Sequence, residues 1–574
     1  MTEKEAFVKR FEGLAAVRGE KKADFLLKNG RIVDVFSGEI FQVDIAVSGG
    51  RILVFGDYRA EQVLDLGNRI AAPGFIDSHV HIESAMVGVP GYAAAVMPRG
   101  TTSVVIDPHE IANVLGNEGI RYMIRSSKAS PLGVHVMVPS CVPATHLETS
   151  GAALSVKDIQ DWMSRPGILG LAEMMNFPGV VNGDQKVLAK LKAASGRVRD
   201  GHAPGLSGKS LNAYVYAGIG SDHECFSLEE AREKVRLGMM VFIREGTAAK
   251  NLHTLLPLVN AMNQHRFAFC TDDRHPFDLL HEGHIDSMVR EAVRQGMDPV
   301  TAVRLASFNA ARYFGLPETG AIAPGYHADI AVFDDFESVA VKWVMKEGRL
   351  VAAEGKMLVQ AGGKSAPRPK NTIRMKPLWK ADLQVQAAGR VRVIGLIPDQ
   401  IVTEALVLEP EIRDGKAVSS TGKDVLKLIV AERHRGTGNL GIGFVRGFGL
   451  KRGALASSVA HDSHNIIAVG VTDEDLLLAV RSVAGMHGGL AAVADGNVLE
   501  KLPLPIAGLM SPEPMEEVER RIQSLNRSAA GLGCVLKDPF MQLSFLALPV
   551  ITELKLTDRG LVDLSRFDFV PLSV

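Results

Sequence analysis

Thiols are scarce in this sequence. Its 574 residues hold four cysteines, Cys141, Cys225, Cys270 and Cys534, with no paired spacing. That argues against a disulfide framework and against a thiolate zinc site, and makes a reducing, cytoplasmic setting the expectation. Neither sign of charge is in excess: Lys+Arg 64 against Asp+Glu 65 leave a net charge of -1. Nucleic acid and an anionic membrane surface, which both favour a basic excess, are not expected partners. No apolar run reaches the ~18 residues of a membrane span, the longest candidate lying near Phe545 to Ile551. The opening segment MTEKEAFVKRFEGLAAVRGEKK lacks the apolar core of a secretory leader. There is no short repeat and no low-complexity stretch.

What is present has the balance of a globular enzyme, 46% hydrophobic and 22% charged, with 57 glycines that imply many tight turns. At ~150 residues per domain the length suggests roughly three to four domains, or fewer if one is a barrel. Residues 25–56 read as three short β runs broken by Asn-Gly, Ser-Gly and Gly-Gly turns, and a matching style returns at 327–359. Neither flank can bury a sheet alone, so the two are expected to pair into one small β-sandwich. Between them, eight short apolar runs end in polar clusters and alternate with helix-like segments: 71–84, 101–110, 133–143, 167–175, 197–205, 216–224, 239–246 and 265–276. That is the arithmetic of a (β/α)8 TIM-type barrel, whose chemistry gathers at the C-terminal ends of its strands. Asp298 and Pro299 signal the start of a helical tail. The expected division is 1–70 and 317–360 for the small β domain, 71–316 for the barrel, 361–377 as a Pro/Gly/Lys-rich linker, and 378–574 as a further α/β or α+β domain.

His79 and His81 end the first barrel run. Residues two apart on a strand share a face, so both imidazoles can grip one cation. Alone this spacing is weak, and two hydrogen-bonded histidines would satisfy it equally. Glu173, His202, His223 and Asp272 close other runs, and together the six ligand-type residues occupy five strand ends. For Glu173 the competing reading is a buried carboxylate paired to an arginine. Glu83 and Ser84 lie just beyond the histidine pair. Glu83 shares its parity if the strand continues, and either meets the substrate or supports a metal-bound histidine. Asp107, His109 and Glu110 end the second run as pocket lining, a supporting network, an accessory metal site or a solvated turn. His461, Asp462, His464 and Asn465 form a polar knot in apolar sequence. It either closes over the barrel mouth or makes a structural or subunit contact. GTGNLGIGF (436–444) lacks the Gly-Lys-Ser/Thr ending of a phosphate loop, which leaves turn glycines. Cys225 and Cys270, next to His223 and Asp272, read as small packers rather than nucleophiles.

PGFIDSHVHIE followed by strand-end Glu, His, His and Asp resembles the amidohydrolase superfamily. HVHIES (79–84), VVIDPHEIANVLG (104–116), GLAEMMNFPGV, DGHAPGLSG (200–208), SDHE (221–224), VAHDSHNIIAVG (459–470) and MHGGL (486–490) resemble the bacterial adenine deaminases within it. The resemblance spans essentially the whole chain. It implies one metal held by His79, His81 and Asp272, a second by His202 and His223, and Glu173 bridging them. It implies two divalent ions, manganese or iron, with zinc also compatible with the donors. The implied reaction is hydrolytic deamination of adenine to hypoxanthine and ammonia by a metal-bridging hydroxide in purine salvage, with Asp272 carrying the proton; Glu83, by its place beside the histidine pair, is the next catalytic candidate. The mononuclear zinc base deaminases carry Pro-Cys-x-x-Cys, which does not occur in this sequence. Hydrolysis of a cyclic or N-acyl amide would use the same ligands. A silent scaffold is the rival of another class, though such proteins lose ligands and all six stand here. The expected assembly is a homo-oligomer, a dimer, acting on a small molecule.

Overall fold

The computed structural model describes residues 11, 13–359, 366–386, 389–397, 400 and 402–574. Each of the eight apolar runs contains a strand: β1 (Phe75–Val80), β2 (Thr101–Ile106), β3 (Gly133–Val138), β4 (Ile168–Met174), β5 (Val198–Gly201), β6 (Ser221–Asp222), β7 (Met240–Arg244) and β8 (Phe267–Cys270). β1 to β5 pair in sequence as parallel neighbours, and so do β6 to β8. The ring closes on both sides. Asp272 N–H donates to His79 O at 2.9 Å, joining β8 to β1, and Gly220 N–H donates to Arg199 O at 2.9 Å, joining β5 to β6. This is the (β/α)8 barrel that the run spacing predicts.

Helices cover the barrel where their start signals stand in the sequence. Asp298 accepts from the Thr301 amide at the head of Pro299–Leu305, and Ser227 accepts from the Glu230 amide at the head of Leu228–Arg236. The barrel interior is apolar below the mouth. Ile76, Val105, Met137, Ala172, Phe242 and Ala268 pack with Ala310 and Phe314 from the helical tail, so the polar strand ends rest on a dry floor.

The two flanks pair as expected. Ile70–Pro73 from the N-terminal side lies antiparallel to Ile330–Phe333 from the C-terminal side, in register Ile330↔Pro73 to Phe333↔Ile70. A seven-stranded sheet built from both flanks faces a four-stranded one (Ala23–Lys28, Ile45–Ser48, Arg51–Phe55 and Ala60–Asp65). Leu27, Ile32, Ile45, Ile52, Ala71, Ile330 and Met345 fill the space between. The Asn29-Gly30, Ser37-Gly38 and Gly49-Gly50 turns do separate strands, although the 25–56 stretch is cut into five rather than three.

Of the expected linker, 361–365 lie outside the described residues, and 366–377 carry neither helix nor strand. Beyond it an eight-stranded sheet runs in the order Thr403–Leu408, Val391–Leu396, Leu440–Arg446, Val425–Ala431, Ile466–Gly470, Ala454–Ser457, Gly489–Ala494, Asn497–Pro503. Every pair is antiparallel except Val391–Leu396 with Leu440–Arg446. Of the two expected descriptions, α/β or α+β, the antiparallel pairing answers to the second. Among the described residues no helix is long and apolar enough to cross a membrane.

Candidate metal centre at the barrel mouth

The six ligand-type residues converge. Glu173, at the end of β4, lies at the centre with its two oxygens turned to different partners. Oε1 is 3.4 Å from His81 Nε2 and 3.8 Å from His79 Nε2. Oε2 is 2.7 Å from His202 Nδ1 and 3.3 Å from His223 Nε2. Asp272 Oδ1 is 3.0 Å from His81 Nε2 and 3.5 Å from His79 Nε2. The His79 and His223 rings stack with centroids 4.3 Å apart, so the two histidine pairs flank one space. His79–His81–Asp272, His79–Glu173–His223 and His202–His223–Glu224 each have the mutual spacing of a cation site. The arginine partner considered for Glu173 is not what surrounds it; imidazoles are.

Local backbone geometry aims these groups. His81 Nδ1 lies 2.9 Å from the Asp107 carbonyl oxygen, which can only accept. Nδ1 therefore carries a proton, which leaves Nε2 as the nitrogen turned to Glu173 and Asp272: it donates to these carboxylates here, and the neutral ring would offer that nitrogen to a cation. Asp77, below the histidines, accepts from the His79 amide at 3.2 Å and the Thr271 amide at 3.1 Å, clamping the first and last strands together. Gly201 lets β5 and β6 approach, since a Cβ there would lie 2.4 Å from the Ser221 carbonyl oxygen. Asp272 has φ 57°, in the left-handed region that costs a non-glycine residue on the order of 1 kcal/mol.

Burial pushes the Glu173 carboxyl up, but the charge of His202 and hydrogen bonds from His202, His223 and His81 outweigh it and hold the group well below the usual carboxylate range. Asp272 is likewise held low: burial opposes ionisation, and the Arg244 guanidinium beside Oδ2, 2.8 Å away, prevails. Arg244 also donates to Glu224, tying the buried Asp272 and the half-buried Glu224 to one cation. Replacing Arg244 with Met would leave both without their charge partner. We expect a loss of about 3–5 kcal/mol in stability, read from denaturant unfolding of the metal-free protein. A change within 0.5 kcal/mol would mean the clamp contributes nothing.

The remaining candidates surround this centre. β1 ends at Val80, so Glu83 does not continue its strand parity; it stands in a 3-10 turn, Ile82–Ala85. Its Oε1 accepts from the Ile111 amide at 3.2 Å, its Oε2 has no partner, and burial pushes its carboxyl up to about 7. Ser84 donates to Asp273. His109 Nδ1 lies 3.3 Å from Asp107 Oδ2 and 3.4 Å from Glu173 Oε1. Cys225 and Cys270 are buried and free, and burial raises both thiols, in keeping with packing residues.

Sequence reading did not single out Arg244, Glu224 or Asp77. Arg244 and Glu224 are charged residues closing the β7 and β6 runs, which is the signal that was available. Asp77 lies two residues before His79, where only the closed ring reveals its two amides.

Residues 70–351 match the amidohydrolase family and residues 400–568 match the adenine deaminase C-terminal domain. The chain is 53% identical to the adenine deaminase of Desulfatibacillum aliphaticivorans, over 97% of this chain and 99% of that one. It is 50% identical to adenine deaminase 2 of Carboxydothermus hydrogenoformans and 50% identical to the adenine deaminase of Methanothrix thermoacetophila, in each case over 97% of this chain and 98% of the relative. With a closed barrel, a histidine–carboxylate cluster at its mouth and relatives matched from end to end, the chain belongs to the adenine deaminase family.

Proposed function

We propose that the protein is a metal-dependent adenine deaminase, converting adenine and water to hypoxanthine and ammonia in purine salvage. The observation that carries this reading is Glu173, whose two oxygens face separate histidine pairs and so suit a bridge between two cations. His79, His81 and Asp272 would hold one ion, His202 and His223 the other. His79 Nε2 is buried with no hydrogen-bond partner, which an ion would satisfy. Histidine and carboxylate donors without thiolate suit manganese or ferrous iron, and admit zinc.

Two divalent cations held there would lower the pKa of water enough to supply hydroxide near neutrality. Asp272 Oδ1, kept ionised by Arg244, accepts the proton of the attacking water and returns it to the departing amine. Attack at C6 makes that carbon tetrahedral, and loss of ammonia restores the ring. Glu83 is placed to meet the purine edge or to steady the loop that follows His81. Glu83→Gln is expected to lower kcat/KM for adenine by roughly 10² with metal content unchanged, the scale of a lost acid–base group. An unchanged kcat/KM would remove Glu83 from the site.

We further assign 1–73 and 317–360 to one β domain, three residues past the expected boundary at 70 because Ile70–Pro73 pairs in its sheet, 74–316 to the barrel, 361–377 to a linker and 378–574 to the C-terminal domain, in a cytoplasmic homodimer. The functional test is ammonia release on protein of measured metal content, with adenine, adenosine, a dihydropyrimidine and an N-acyl amino acid. Adenine should turn over and adenosine poorly, an expectation that rests on the likeness to adenine deaminases. Equal kcat/KM for base and nucleoside would reject specificity for the base, and turnover of the N-acyl substrate alone would favour amide hydrolysis at the same centre.

A further inference from the structure

The C-terminal domain touches the barrel mouth at several places around its rim. The Ser511 amide donates to the Met86 carbonyl at 2.7 Å, just past the turn that carries Glu83. Asp558 accepts from the Thr149 amide at 2.8 Å, while Asn465 Nδ2 donates to the Thr149 carbonyl at 2.9 Å. Asp538 lies 3.5 Å from His275 Nδ1. The fourth contact is inside the rim. Glu110, in the first turn of the helix His109–Leu115 that follows β2, is 2% exposed, and both its oxygens are taken by the polar knot of the C-terminal domain. Oε1 is 2.6 Å from His461 Nδ1, and Oε2 meets His464 Nε2.

This triplet has the spacing of a cation site, but its proton inventory speaks for another role. The Ala460 amide donates to His464 Nδ1 at 3.1 Å. That nitrogen must offer its lone pair, so Nε2 carries the proton and is a donor to Glu110, not a metal ligand. His461 is fixed as firmly: its ring stacks on Phe545 with centroids 4.7 Å apart and planes 12° apart, and its amide donates to the Ser544 carbonyl at 3.2 Å. His464 has φ 55°, a backbone setting held by its surroundings. Glu110 Oε1 is in turn 3.4 Å from His109 Nε2, and the other nitrogen of that ring, hydrogen-bonded to Asp107 Oδ2 at 3.3 Å, is 3.4 Å from Glu173 Oε1. A continuous chain therefore runs from the C-terminal domain to the carboxylate at the centre of the site: His461 and His464, Glu110, His109, Glu173.

We propose that the C-terminal domain is a working part of the active site, in which His461 and His464 pin Glu110 so that it orients His109 against Glu173. This rests on the deaminase reading above. Glu110, His461 and His464 are positioning residues: none faces the Glu173 histidine pairs, and each acts through the next. Partners of this kind around metal-ligating groups are worth 10- to 100-fold in activity. A carboxylate with both oxygens held by hydrogen bonds cannot rotate, and a ring held at both nitrogens cannot flip.

The test compares His464→Ala with His464→Gln in the full-length, metal-loaded enzyme. Glutamine can place an N–H near the position of Nε2; alanine cannot. His464→Ala should lose roughly 10- to 100-fold in kcat for adenine, with KM within about threefold and two metals still bound, while His464→Gln recovers to within about fivefold of wild type. Equal impairment of the two variants, wild-type kcat in His464→Ala, or a loss confined to KM would overturn the proposal. If His464→Ala does not fold, Glu110→Gln, which keeps size and shape but cannot accept at both oxygens, should show the same fall in kcat with metal retained. Wild-type kcat in Glu110→Gln would also overturn it. Metal-loaded wild-type enzyme that does not release ammonia from adenine would instead refute the deaminase reading, so the two failures are distinguishable.

Discussion

Replacing Glu173 with Gln is expected to abolish turnover and to deplete the second metal. Oε1 faces His79 and His81 while Oε2 faces His202 and His223, so the two halves of the cluster meet through this one carboxylate. An amide keeps one acceptor oxygen but puts N–H donors where the other lay, and an N–H can neither hold a cation nor accept from the ring nitrogens that face it. The charge facing four imidazoles, three of them buried, is lost as well. Electrostatic stabilisation by a bound cation is worth several kcal/mol of transition-state energy, so a loss of roughly 10³ or more in kcat is expected. Metal analysis on the same preparation should give about one equivalent in place of two. Full activity with two metals retained would remove the bridging role.

Asp272→Asn has a different signature. Asp272 stands between two tasks: Oδ1 faces the His79 and His81 nitrogens, and Oδ2 accepts from Arg244. Asparagine preserves size and one oxygen for a cation, and its amide cannot carry a proton. Most of the metal should remain while kcat falls by roughly 10² to 10⁴, the range of a general acid–base group. Measuring metal content and kcat together separates the tasks. A rate that falls only in proportion to metal lost would make Asp272 a ligand alone, with Glu83 next to be tested as the proton carrier.

Much of the barrel was legible in the sequence because its signals are local. Each of the eight apolar runs ends in polar residues, and strand parity puts ligand types such as His79 and Glu173 at those ends. The pairing of Ile70–Pro73 with Ile330–Phe333 could be anticipated because neither flank can bury a sheet by itself. Glu83 shows where a local rule fails. Its parity with His79 assumed a continuing strand, and the chain turns into a 3-10 segment after His81. The Arg244 clamp and the Asp77 double acceptor were not legible because they exist only once the ring closes, when β8 returns beside β1. The same holds for Glu110 and the His461–His464 knot, whose partners lie 351 and 354 residues apart in the chain. Glu110 belongs to the cluster of ligand types that ends the second run, and the two histidines to a polar knot in apolar sequence. Only the packing of the C-terminal domain over the mouth joins them.

The central claim is that the cluster around Glu173 works as a two-metal deaminase centre. It is tested most directly by titrating metal-free protein with manganese while following hypoxanthine formation from adenine. The account predicts activity rising with added metal to a break at two equivalents per chain. Full activity at one equivalent or none, or no hypoxanthine with two equivalents bound, would contradict it.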